Sequence, residues 1–134
     1  MKKIGLFILS TIICTIANGA EIWIETENFK NKGGWVVDQQ FMEEMGSPYL
    51  LAHGMGKAVE DAWTEVEVPS SGTYYLYVRT FNWTSPWYNG KGPGTFRLLL
   101  NGKDISGELG SEGSSWMWQK AGVAKLKKGI SRIA

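Results

Sequence analysis

The run Gly72-Thr73-Tyr74-Tyr75-Leu76-Tyr77-Val78-Arg79-Thr80 constrains this chain more than any other stretch. Its period of two puts Tyr74, Leu76 and Val78 on one face and Thr73, Tyr75, Tyr77 and Arg79 on the other, the pattern of a half-buried β-strand. Aromatic and β-branched side chains suit a pleated surface, and Pro69 and Gly72 bracket the turn leading in. Beyond Thr80 the character changes. Trp83, Trp87 and Tyr88 stand among Asn, Thr, Ser, Pro and Gly, in a loop where large rings are hard to bury and usually meet a partner.

Shorter versions of the same alternation recur on both sides. Ile22, Ile24 and Thr26 alternate with Trp23, Glu25 and Glu27, which predicts a first strand. Lys32-Gly33-Gly34 is a turn, and Trp35-Val36-Val37 is extended. Asp38 is placed to cap one or two helical turns through Phe41, Met42 and Met45, and Gly46 suits a left-handed close. Residues 49–53 read as a strand ending at Gly54; Ala62, Thr64, Val66 and Val68 mark another ending at Pro69. Phe96, Leu98 and Leu100 alternate with Arg97 and Leu99, and Asn101-Gly102 is a strong hairpin signal that turns the chain back at Asp104-Ile105. Residues 116–118 and 123–126 read as two separate strands, and Lys128-Gly129 turns into a last alternating run, 130–134. About eight to ten short strands with a single short helix predict an all-β fold, a jelly-roll β-sandwich. The alternation is still running at Ala134, so the expectation is that the last strand or strands are missing from this sequence.

A chain of 134 residues suits one domain. Met1-Lys2-Lys3, the apolar run from Ile4 to Ile16 and the small residues Ala17-Asn18-Gly19-Ala20 form the three parts of a secretory signal peptide, residues 1–20. The apolar run is too short for a membrane span. The expected mature domain, residues 21–134, is therefore secreted or periplasmic, with no membrane attachment after cleavage. Cys14, the single cysteine, leaves with the signal, so the mature domain relies on its core without disulfides. Cleavage also removes Lys2 and Lys3, leaving 12 basic against 13 acidic residues, a net charge of −1. That balance argues against nucleic acid, and the cluster Lys125, Lys127 and Lys128 reads as a solvated strand and turn.

Two sets of residues carry a family likeness. Glu25-Thr26-Glu27-Asn28-Phe29, followed by the spaced pattern Val66, Val68, Pro69, Gly72, Tyr74, Leu76, Val78, Arg79, resembles the jelly-roll carbohydrate-binding modules of families six and thirty-five. Residues 34–41 and 46–54, Pro86-Trp87, Pro93-Gly94-x-Phe96 and Trp116-x-Trp118-Gln119 look like the N-terminal module of secreted bacterial FAD-dependent oxidoreductases or xanthan-lyase-like proteins. The likeness spans essentially the whole mature chain. It implies polysaccharide or glycan as partner and a catalytic domain of the same parent protein as a second. For a complete version of the domain it also implies a structural calcium site, in which Glu27, with its strand neighbour Glu25, is joined by a carboxylate on the final strand expected to be missing here. No flavin site is expected, because no Gly-x-Gly-x-x-Gly follows a strand.

The candidate carbohydrate-binding residues are Trp83, Trp87, Tyr88, Trp116 and Trp118, with Arg79, Asn82 and Asn89 as polar rim. A sugar ring has an apolar C–H face and a polar edge, so its site needs a flat π-surface and nearby amide or charged groups. For Trp116 and Trp118 the alternative is packing in the core, and for the others covering one end of the sandwich. Catalysis finds no support. Glycoside hydrolysis needs two carboxyls about 5–10 Å apart across a cleft, whereas Glu25 and Glu27 would look sideways along one strand. His53 is the only histidine, no Gly-x-Ser-x-Gly elbow is present, and Asn82-Trp83-Thr84 fits the N-glycosylation sequon by chance.

Overall fold

A computed structural model describes residues 19–52, 57–87 and 94–134. The strands are β1 (Trp35–Asp38), β2 (Tyr49–Ala52), β3 (Thr64–Val68), β4 (Gly72–Thr80), β5 (Leu99–Leu100), β6 (Lys103–Asp104), β7 (Met117–Leu126) and β8 (Gly129–Ile133), with one helical turn, α1 (Met42–Met45). All described pairings are antiparallel: β1 with β2, the four-stranded order β3-β8-β5-β6, and the long ribbon β4-β7. Both the four-stranded sheet and the ribbon send side chains into one core. Phe29, Ala62, Leu98, Leu109, Ala121 and Ile133 are its buried centre, and Val66, Leu76, Val78 and Phe96 pack around it. Side chains from two sheets meeting across one apolar layer make the fold an all-β sandwich.

β4 follows the alternation of its sequence: Tyr75 and Tyr77 are exposed, while Leu76 and Val78 point to the core. The Asn101-Gly102 hairpin also forms. Both residues take positive φ, 50° and 80°, so the turn twist matches its flanking strands. Arg132 lies over the Trp63 ring, 4.1 Å from its centroid, and joins β8 to the chain entering β3.

Three expectations are corrected. Residues 21–25 alternate in burial but form no ladder with a described strand, and Thr26–Asn28 is a 3₁₀ turn. The period of two there reports which side faces the core, while a strand also requires a neighbouring backbone. Asp38 ends β1 and does not cap α1: its carboxylate accepts the Gln40 N–H (2.8 Å) and the Tyr49 hydroxyl (2.5 Å), and Phe41 holds the N-cap position. Gly46 closes α1 in the left-handed region as expected, at φ 86°. Finally, residues 116–118 and 123–126 belong to one ten-residue strand, β7. Opposite β4 the register runs Leu76–Gly122 and then Tyr77–Lys120, so Ala121 is the extra residue of a bulge. The bulge shifts the inward positions from Met117, Gln119 and Ala121 to Ala124 and Leu126. Gly122 sits where a Cβ would collide with the carbonyl oxygen of Ile105, so the bulge and its glycine let β7 pass that loop.

Candidate functional site

Asn82 and Thr84 build the loop after β4 from within. Thr84 is 1% exposed and its hydroxyl donates to Asn82 Oδ1 at 2.8 Å; the Asn82 amide donates to the Ser111 carbonyl at 3.1 Å. Two backbone bonds, Ser85 N–H to Asn82 O and Trp87 N–H to Thr84 O, tighten the turn. With the polar side chains turned inward, the intervening rings point out. Trp83 is 44% and Trp87 72% exposed, and the two meet edge to face with centroids 6.2 Å apart. Exposed indoles on a turn braced from below are suited to stacking on a sugar, although the edge of one ring covers part of the face of the other. Because Asn82 is buried and its amide nitrogen is bonded to Ser111, the sequon is closed to glycosylation in the folded domain.

The remaining predicted residues divide. Trp118 lies on the outward face of β7, half-exposed, with the exposed Trp23 edge-on at 6.0 Å. Trp116 does not share that surface. It is partly buried among Phe41, Tyr49 and Phe81, at centroid distances of 4.9 to 6.5 Å, where it packs α1 and β2 against the end of β4. Arg79 is also engaged: its guanidinium donates to the carbonyls of Met45 (2.9 Å) and Glu44 (3.1 Å), filling the C-terminal acceptors of α1. Asn82 serves as the buried brace and does not offer its amide as a rim, while Arg79 spends two of its five N–H donors on α1. Tyr88, Asn89 and His53 lie outside the described residues.

Glu25 is exposed and flanks the 3₁₀ turn that contains Glu27, so the two acids are not a pair along one strand face. Calcium takes 6–8 oxygen ligands. Among the described residues no group of three or more acidic, His or Cys side chains converges, so Glu25 and Glu27 do not make a calcium cage by themselves.

One surface escaped the sequence reading. Tyr75 and Tyr77 on β4 are 63% and 55% exposed, and they lie on the same outward face of the ribbon as Trp118. Their alternation with Tyr74, Leu76 and Val78 already placed them outward; what went unremarked is that two successive outward positions are aromatic. Inside the sandwich, by contrast, an apolar cleft between the sheets keeps Ile24, Leu50, Val66, Leu76, Val78 and Phe96 only partly buried.

Asp38 and Tyr49 face each other across β1 and β2, and both are shifted. The Tyr49 hydroxyl bond, then the Gln40 backbone N–H, hold the Asp38 carboxyl below its ordinary value. Burial, then the Asp38 carboxylate, push the Tyr49 phenol up to about 12. Comparison with protein-family models, curated proteins and solved structures returns no significant match, so the functional reading rests on these residues.

Proposed function

We propose that this chain is a secreted or periplasmic, non-catalytic module of jelly-roll type that binds polysaccharide through exposed tryptophans. The observation that carries it is the outward presentation of Trp83 and Trp87 by the buried Asn82–Thr84 pair. Covering about half of one indole, of roughly 200 Å², contributes about 2–3 kcal/mol. Two such stacks give about 4–6 kcal/mol before the cost of association, so the Kd is no tighter than roughly 4 × 10⁻⁵ M and falls in the millimolar range once that cost is included. Screening the chain against a polysaccharide panel by affinity electrophoresis, beside Trp87→Ala, tests the reading. Retarded migration with at least one polymer, lost in Trp87→Ala, supports it; no retardation with any polymer sinks it.

A second reading has its own observation. The partly buried residues of the open cleft favour a structural domain that packs against the remainder of a larger secreted protein, such as an oxidoreductase or lyase, and binds no sugar itself. Under that reading the panel is silent, and the chain gains stability only when joined to its neighbouring domain.

A further inference from the structure

The outward face of the β4-β7 ribbon combines rings with uncompensated positive charge. β4 contributes Thr73, Tyr75, Tyr77 and Arg79, and β7 contributes Trp118, Lys120, Val123 and Lys125, each pair set opposite in the ladder. No outward position of either strand is acidic. Arg79 is bound to the carbonyls of α1, but Lys120 and Lys125 form no ion pair with a described residue. The Lys120 ammonium lies over the Tyr75 ring, 5.6 Å from its centroid, so this tyrosine seats the charge on the outward face. Trp23 extends the platform beyond Trp118, on a segment whose nearest acids, Glu21 and Glu25, form no ion pair with either lysine.

A row of exposed rings with two ammonium groups that form no ion pair with a described residue is complementary to a chain of sugar rings that carries anionic groups along its edge. We infer that this face selects anionic polysaccharide: the exposed Tyr77 and Trp118 stack against sugar rings, while Lys120, seated over Tyr75, and Lys125 pair with carboxylate or sulfate groups on them. The inference rests on the glycan reading above and adds to it the substrate class and a second surface, remote in sequence from the Trp83–Trp87 turn.

The test is calorimetric titration of the mature chain with two matched pairs, polygalacturonate against its carboxyl-reduced form and dextran sulfate against dextran. Two exposed ion pairs change affinity by about 2- to 30-fold, so the charged member of at least one pair binds tighter by that factor. The preference shrinks when salt rises from about 0.05 to about 0.5 M. It disappears in Lys120→Gln/Lys125→Gln, whose circular dichroism stays native because both side chains are exposed. Which pair shows the preference tells carboxylate from sulfate. Equal binding within both pairs, with Trp87→Ala still abolishing it, overturns this inference and leaves the glycan reading standing. A charge preference that survives the double lysine variant also overturns it. No binding to any of the four polymers overturns this inference, and it overturns the glycan reading as well only where the whole polysaccharide panel is silent.

Discussion

Replacing Asn82 with alanine removes both ends of the brace that presents the tryptophans. The Thr84 hydroxyl, 1% exposed, loses its acceptor, and the Ser111 carbonyl loses its donor. A buried polar group left without a partner costs about 1–3 kcal/mol and a net hydrogen bond about 0.5–1.5, so Asn82→Ala is expected to cost about 2–4 kcal/mol. A domain of this size is stable by only about 5–15 kcal/mol, so the loss is a large fraction of the total. Thr84→Val removes the donor and keeps the shape, at about 1–2 kcal/mol. The double variant then costs less than the sum, because the stranded hydroxyl that makes Asn82→Ala expensive is gone. Urea denaturation of the four proteins, followed by tryptophan fluorescence, gives the cycle. Near-ultraviolet circular dichroism of Asn82→Ala should also lose the signal of the Trp83–Trp87 pair. A loss under about 0.5 kcal/mol in Asn82→Ala, or strict additivity, would refute the idea that these side chains act as one buried unit.

Other consequences follow from single contacts. Gly122→Ala forces a Cβ into the Ile105 carbonyl and should cost about 1–3 kcal/mol in the same denaturation assay. For Asp38 the folded pKa lies below the unfolded value of 3.8, so its contribution is present above that pH and is lost as pH falls through the folded pKa. For Tyr49 the folded pKa of about 12 lies above the unfolded value of 10, so its contribution is present below pH 10 and is lost as pH rises toward 12. Tyr49→Phe should flatten stability in both windows, and unchanged acid and alkaline limbs would contradict the assignment. Trp118→Ala should weaken polysaccharide binding measurably, whereas Trp116→Ala should chiefly destabilise the fold, by about 3–5 kcal/mol, since its ring packs among Phe41, Tyr49 and Phe81.

The strands were legible where the local period and the packing agree, as in β4, whose inward residues could be named from spacing alone. They were misread where a long-range fact decides. β7 looked like two strands because its inward positions change phase at Ala121, and a bulge changes phase without ending a strand. Residues 21–25 looked like a strand because alternation records which side is buried and says nothing about a hydrogen-bonding neighbour. At the candidate site the exposed indoles could be inferred from loop composition, but the inward turn of Asn82 could not. An asparagine two residues before a threonine serves equally as a solvated turn or a buried pair, and the partner that decides, Ser111, is remote in sequence. Arg79 was placed by alternation on the outward face, yet its length lets it reach back to the end of α1.

The central claim is that Trp83 and Trp87 are held out to meet a sugar. Its most direct test is oxidative footprinting of the tryptophans by mass spectrometry, with and without a polysaccharide from the panel. The account predicts that Trp87, and to a smaller extent Trp83, oxidise readily in the free chain and are shielded when the polymer is present, while Trp116 stays slow in both states. Trp83 and Trp87 oxidising at the same rate with and without every polymer tested would contradict it.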